Sequence, residues 1–416
     1  MPRRRRHDVV ALGLAALAVG AGACQADAGD AGCQLTLQVT LAGTPLTLLQ
    51  DARLDQVGGG YFLLGSETSS EGTSVRWGAL TADGVLTGEA AYALPPGVSS
   101  AYFAVAGAES PGDTVLVAYL GTDAASGSGG LAVIALPADG SPPTAPASTV
   151  VTFPDGVPAA SSVAMLSSRK GMNAGLAWVA DGSAQVSQVM LATLDGTGAK
   201  TGTPVAVSPS SGAPFSCLAF SPGKDDLTVI YYAGTTALMN NPAGWVIAEA
   251  NEAGSVDSTT VLSPGRAPGP ACALVSPTVT GYAITWQDTE GDWLAKFVSQ
   301  EMTLSTSYPF ASAAGFGGSN LQPPMVGLAP FGTDFGVLLA RPVDVELWRI
   351  GDMGQRQAGA LIFPSINGTF GSVSALPPSP ATMAGGPLVA TYADYTSPAG
   401  ASQPAGGRLF VNAVCQ

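Results

Sequence analysis

Histidine is almost absent: His7 is the only one in 416 residues. Once the segment carrying it is removed, nothing remains to act as base in a Ser-His-Asp or Cys-His nucleophile system. Imidazole ligation of zinc, copper or iron is excluded with it. No Cys-x-x-Cys pair offers a thiolate metal site. No Gly-x-Gly-x-x-Gly leads from a strand into a helix, and no Gly-Lys-Ser/Thr loop is present to cradle phosphates. No cofactor and no metal are therefore expected. Charge is scarce, at 11% of residues, and runs of Ala, Glu, Lys and Leu at helical spacing are missing, which argues against a helical protein. After the N-terminal segment no apolar stretch approaches the ~20 residues needed to span a bilayer as a helix.

What is present begins with an export signal. Arg3 to Arg6 make a positive start, Val9 to Val19 an apolar run, and Gly20 to Ala23 a small-residue end before Cys24. This order describes a cleavable signal peptide over residues 1–23. Its end resembles the lipobox of bacterial lipoproteins, in which a Cys after small residues is acylated. Ala21, Gly22 and Ala23 fit the small positions, although Ala21 stands where that family prefers Leu. The resemblance implies lipidation of Cys24, while Ala21-x-Ala23 and Ala26-x-Ala28 also suit simple cleavage. Residues 24–32 read as a flexible tether.

Removing residues 1–23 takes away four of 16 basic and one of 30 acidic residues, leaving 12 against 29 and a net charge of −17. Such a surface repels phosphate backbones, so nucleic acid is not an expected partner. Gly (54) and Pro (32) make up about a fifth of the chain, and they separate short apolar bursts, which is the pattern of an all-β protein.

One apolar burst recurs. It reads Tyr61 to Leu64, Leu116 to Tyr119, Gly175 to Trp178, Thr228 to Tyr231, Ala283 to Trp286, Gly336 to Leu339 and Val389 to Tyr392. The last residues are 55, 59, 53, 55, 53 and 53 apart. Strand-like stretches precede each copy (Val163 to Leu166, Cys217 to Phe220) and follow it. Turns follow too, with Asp83-Gly84, Asp139-Gly140 and Asp195-Gly196 supplying the positive φ of tight turns. Four strands in about 54 residues, seven times over, predict a seven-bladed β-propeller of four-stranded antiparallel blades, one domain over residues 33–416. The final copy, Leu388 to Asp394 and then Arg408 to Cys415, lacks an outer strand. The N-terminal stretch Cys33 to Thr40 with Pro45 to Leu49 is spare, so it is expected to complete the last blade and close the ring.

Without Cys24 four cysteines remain, in an oxidising compartment. Closure would bring Cys33 to Cys415. Cys217 and Cys272 are one repeat apart, and each precedes its landmark aromatic by 14 residues, which places both at the same point of adjacent inner strands. The expected pairs are Cys33–Cys415 and Cys217–Cys272, with two reduced, buried thiols as the alternative for the second. A bond closing nearly the whole chain is assigned at most ~5 kcal/mol by loop-entropy models.

Carboxylates are the remaining catalytic candidates. Asp181, Asp288 and Asp394 follow the landmarks of the third, fifth and seventh copies and are expected on one rim. Paired carboxylates perform glycoside chemistry, but Asp also favours turns for its bonds to nearby N–H groups. Lys224 to Asp226 and Asp288 to Asp292 read as solvated turns. Trp178 and Trp286, in the landmark position, read as core between blades, as do Trp77, Trp245, Trp293 and Trp348. Phe215, Tyr308, Phe310, Phe316 and Phe331 lie in less regular segments and are candidates for a binding rim.

By period and strand pattern over residues 33–416, the chain resembles exported bacterial β-propeller repeat proteins, many of them lipoproteins. It carries neither the sialidase box nor the Trp dipeptide of WD40 blades. The expectation is a monomeric binding or scaffold protein of the cell envelope rather than an enzyme, lipid-anchored at the outer membrane or cell surface. It would be periplasmic or secreted if Cys24 is not acylated, and its membrane contact would be the anchor alone. It would offer a propeller face to a protein or glycan. The alternative is a glycan-active hydrolase or lyase using the rim carboxylates.

Overall fold

The computed structural model describes residues 33–40, 49–57, 60–106, 114–122, 128–143, 145–153, 163–167, 173–181, 187–209, 215–222, 227–233, 244–251, 255–262, 274–277, 281–288, 293–299, 308–311, 325–331, 334–340, 344–350, 356–364, 368–376, 388–396 and 405–415. Its strands form antiparallel four-stranded sheets. After β1 (Cys33–Thr40), the first sheet holds β2 (Gln50–Val57), β3 (Gly60–Ser69), β4 (Gly72–Leu80) and β5 (Leu86–Ala93). The second holds β6 (Val98–Ala106), β7 (Thr114–Thr122), β8 (Gly129–Pro137) and β9 (Ser148–Phe153). The third holds β10 (Val163–Ser167), β11 (Asn173–Asp181), β12 (Ser187–Asp195) and β13 (Val205–Ala206). The fourth holds β14 (Phe215–Pro222), β15 (Leu227–Ala233), β16 (Gly244–Ala250) and β17 (Val256–Leu262). The fifth holds β18 (Leu274–Pro277), β19 (Gly281–Gln287), β20 (Trp293–Ser299) and β21 (Tyr308–Ala311). The sixth holds β22 (Met325–Phe331), β23 (Asp334–Ala340), β24 (Asp344–Ile350) and β25 (Arg356–Pro364). The last combines β26 (Gly368–Leu376), β27 (Leu388–Thr396) and β28 (Ala405–Cys415) with β1.

Each sheet is a meander of sequential neighbours, apart from β1, which pairs antiparallel with β28. Successive first strands touch: β2 with β6, β6 with β10, β10 with β14, β14 with β18, β18 with β22 and β22 with β26. Strand β26 in turn touches β2. Sequential four-stranded sheets that meet along their first strands are the arrangement of a β-propeller. Of the described residues in the spare N-terminal stretch, Cys33–Thr40 join the last sheet. Leu49 is buried but lies in no strand, and residues 45–48 are outside the described set.

Side chains alternate across a strand, and the first four sheets bury apolar residues on both faces. The core is therefore divided into seams between successive sheets. One seam joins the first and second sheets through Leu64, Val75, Trp77, Val115, Val117, Ile134 and Leu136. The next joins Leu116, Ala118, Leu120, Leu131 and Val133 to Leu176, Trp178 and Leu194. A third joins Ala177, Val179, Val189 and Leu191 to Val229, Tyr231, Val246 and Ala248. The landmark aromatics Tyr119, Trp178 and Tyr231 all turn toward the preceding sheet. Leu64, aligned with them by spacing, faces the following sheet instead. A one-residue slip exchanges the faces of a strand, and in the first sheet the fully buried Leu63 takes the opposite side.

Turn glycines fit these seams. Gly140, at φ 80°, is so placed that a β-carbon would lie 2.6 Å from the β-carbon of Ala90 in the first sheet. In the third sheet the positive φ falls on Gly198 (79°), not on Gly196 as the Asp195-Gly196 pair suggests. The Asp195 carboxylate explains the shift. It accepts hydrogen bonds from the backbone N–H of Thr197 and of Ala199, at 2.8 and 3.1 Å, and so folds a longer turn.

Candidate functional site

Sheet topology places the sequence-predicted site residues at strand ends. Asp181 closes β11 opposite Ser187, and Asp394 lies near the end of β27 between Phe370 and Gly407. Asp288 follows β19 directly. All three thus stand at or near the C-terminal end of the second strand of their sheets. Cys33 and Cys415 are partners at the other end of the last sheet, where β1 begins and β28 stops. Cys217 sits in β14 within a break of register between Ser216 and Ala219. Cys24, Cys272, Lys224 to Asp226, Glu290, Asp292 and Phe316 lie outside the described residues.

Two expectations are corrected. Asp288 is not in a solvated turn, being only 2% exposed. Alternation along β19 puts it in phase with Ile284 and Trp286, which are fully buried. Trp286 meets Trp245 of the fourth sheet with ring centroids 5.8 Å apart, so this phase is the one turned into the seam. Phe215 is not a rim aromatic either. It is 4% exposed and packs edge-on against Tyr231, centroids 5.3 Å apart, in the seam of the third and fourth sheets. Tyr308 and Phe310 lie in β21, and Phe331 ends β22.

The tryptophans read as core are buried wherever their side chains are described. The Trp77 indole N–H donates to the Ala138 carbonyl at 3.0 Å, tying the first sheet to the β8–β9 turn. The indole nitrogens of Trp178, Trp245 and Trp286 and the hydroxyl of Thr285 are buried without a hydrogen-bond partner. Tyr232 extends the row, its ring 5.4 Å from that of Trp245. This chain of rings between the fourth and fifth sheets was not anticipated. Its one sequence signal is the tandem Tyr231-Tyr232, whose two rings are sent by alternation to opposite seams.

Among the described carboxylates, the two with shifted acidity, Asp139 and Asp195, serve turns. Hydrogen bonds from the Ser141 N–H and hydroxyl hold the Asp139 carboxyl below its usual range. Burial acts to raise the Asp195 carboxyl, but the Thr197 hydroxyl and the N–H groups of Thr197 and Ala199 outweigh it and hold that group low. Burial pushes the Tyr231 hydroxyl well above the ordinary phenol range. On the first sheet, Arg76 pairs with Glu67 and lies 3.7 Å from Glu89, a partly exposed cross-strand group that only the register makes visible. Among the described residues no group of three or more His, Cys, Asp or Glu is placed to hold a metal ion. Nor is any helix among them long and apolar enough to cross a membrane.

No protein-family model and no curated protein matches the sequence. Solved structures do show likeness. The β-propeller domain of Cps50 (Swd1) from Myceliophteria thermophila aligns with 91% of this chain and 99% of its own, at 9% identity and TM-score 0.49. The β-propeller domain of the trilobed protease from Pyrococcus furiosus, described as having an open velcro topology, aligns with 88% of this chain and 94% of its own. Its identity is 8% and its TM-score 0.45. Prolyl oligopeptidase B from Galerina marginata matches over 84% of this chain at 11% identity and TM-score 0.44, and the match spans only 46% of that enzyme's length.

Proposed function

We propose that the chain is an exported binding or scaffold protein, a closed seven-bladed propeller over residues 33–416 held at the cell envelope by a lipid on Cys24. The observation that carries the ring is the unbroken series of first-strand contacts, which runs from β2 to β26 and returns to β2. The pairing of β1 with β28 supports closure by the two ends of the chain. Described apolar side chains are spent in the seams, and Val85 is the one large hydrophobic residue exposed among the described residues. The loops at the strand ends are left as the ligand-bearing surface, where binding residues concentrate on rigid scaffolds. The ligand is a protein or glycan, and the net charge of −17 on the mature chain argues against a phosphate-rich one.

Export is tested by mass spectrometry of the protein recovered from its own cells, which is expected to start at an acylated Cys24. An unmodified start after Ala23 or Ala28 would replace anchoring by simple secretion. Binding is tested on a glycan array and by envelope pull-down with the mature chain. The expected outcome is saturable binding with no turnover of the bound glycan. Turnover that disappears in an Asp181→Asn/Asp288→Asn/Asp394→Asn variant would instead identify a glycan-active enzyme. The burial of Asp288 weighs against that outcome.

A further inference from the structure

We propose that Cys33 and Cys415 form a disulfide that locks the seam between the two ends of the chain. They are direct partners at the outermost position of the β1–β28 ladder, followed by Gln34 with Val414. Residues directly opposite in an antiparallel pair have Cα atoms roughly 4.5–5.5 Å apart, inside the roughly 4.4–6.8 Å that a disulfide spans. The position suits a lock. Strand β1 is held in its sheet by β28 alone, and the ladder is interrupted by an irregularity between Leu35 and Leu37. The short stretch beyond that break is where an edge strand would fray first, and the bond secures it.

The chemistry is thiol–disulfide exchange with a small disulfide such as glutathione disulfide. One cysteine thiolate attacks the disulfide and forms a mixed disulfide, releasing one glutathione thiol. The second cysteine thiolate then attacks the protein sulfur of that mixed disulfide and releases the other. Two protein thiols lose two protons and two electrons, and one external disulfide becomes two thiols. In the cell the bond rests on the export reading, which supplies an oxidising compartment, but the test does not.

Purified full-length chain is equilibrated in a glutathione/glutathione disulfide buffer, quenched with acid, digested without reduction and mapped by mass spectrometry. The expected result is a linked peptide pair containing Cys33 and Cys415. Free thiols at both positions, or Cys33 joined to Cys217 or Cys272, would overturn the proposal. Thermal unfolding gives a second readout. Reductant is expected to lower the midpoint of the wild-type chain by a few degrees, and that shift is expected to shrink in a Cys33→Ser/Cys415→Ser variant. A variant that keeps the whole shift would equally overturn the lock.

Discussion

Trp245 and Trp286 bury their rings completely while their indole N–H groups find no acceptor. A buried, unpaired donor costs about 1–3 kcal/mol, so the rings are retained for the area they remove from water. Trp286→Ala is expected to destabilise the protein by about 3–5 kcal/mol. Trp286→Phe is expected to cost distinctly less, because it keeps most of the ring and deletes the unpaired donor. Urea unfolding of both variants measures the difference. At Asp195 the hydrogen-bonded carboxylate favours the folded state. Because its acidity is held low, its contribution is full above the unfolded value near ~3.9 and is lost as pH falls through the lower folded value. Asp195→Asn is therefore expected to flatten the acid limb of the stability profile. Asp195→Ala is expected to cost about 1 kcal/mol at neutral pH, read from denaturant midpoints. At this scale the sequence spoke through repetition. Trp178 and Trp286 were legible as core because aromatics recur at their position. Asp288 and Phe215 were not, because their burial comes from a neighbouring sheet that no local pattern records.

Turns and strands are where seams are made tight. Gly140 combines a positive φ with contact across the seam, since an added β-carbon would meet that of Ala90 at 2.6 Å. Gly88, in β5 of the first sheet, has no atom within 4 Å of the same construction and no positive φ. Gly140→Ala is expected to destabilise by about 1–3 kcal/mol, whereas Gly88→Ala is expected to stay within about 0.5 kcal/mol. The paired thermal or urea midpoints test whether the β8–β9 turn is packed against the first sheet. Strand positions were legible from apolar bursts separated by turn residues, and β1 follows the bounds given by the sequence. Two details escaped. The Asp195-Gly196 pair looks like a two-residue turn, but three hydrogen bonds to the carboxylate move the positive φ to Gly198. Leu64 matches its repeat by spacing alone, and spacing does not fix which face of a strand a residue takes.

One sheet pairs β1, from the N-terminal part of the chain, with β28, β27 and β26 from the C-terminal part. A period near 54 residues and an incomplete last copy pointed to this pairing, since both are properties of the whole sequence. What the proposed ring would bind was not legible, because a binding surface is expected in loops that carry no repeated signal. In a closed ring the sheets support one another around the circle, so loss of β1 should be felt beyond β28. The most direct measurement compares amide hydrogen exchange in the full-length chain with exchange in a chain lacking Cys33 to Thr40. In the full-length chain the amides of Val411 to Val414 are expected to exchange as slowly as those of β15. The deletion is expected to expose them and also to speed exchange in β26 and β27. Equal protection of β28 with and without β1 would contradict closure by the two ends of the chain.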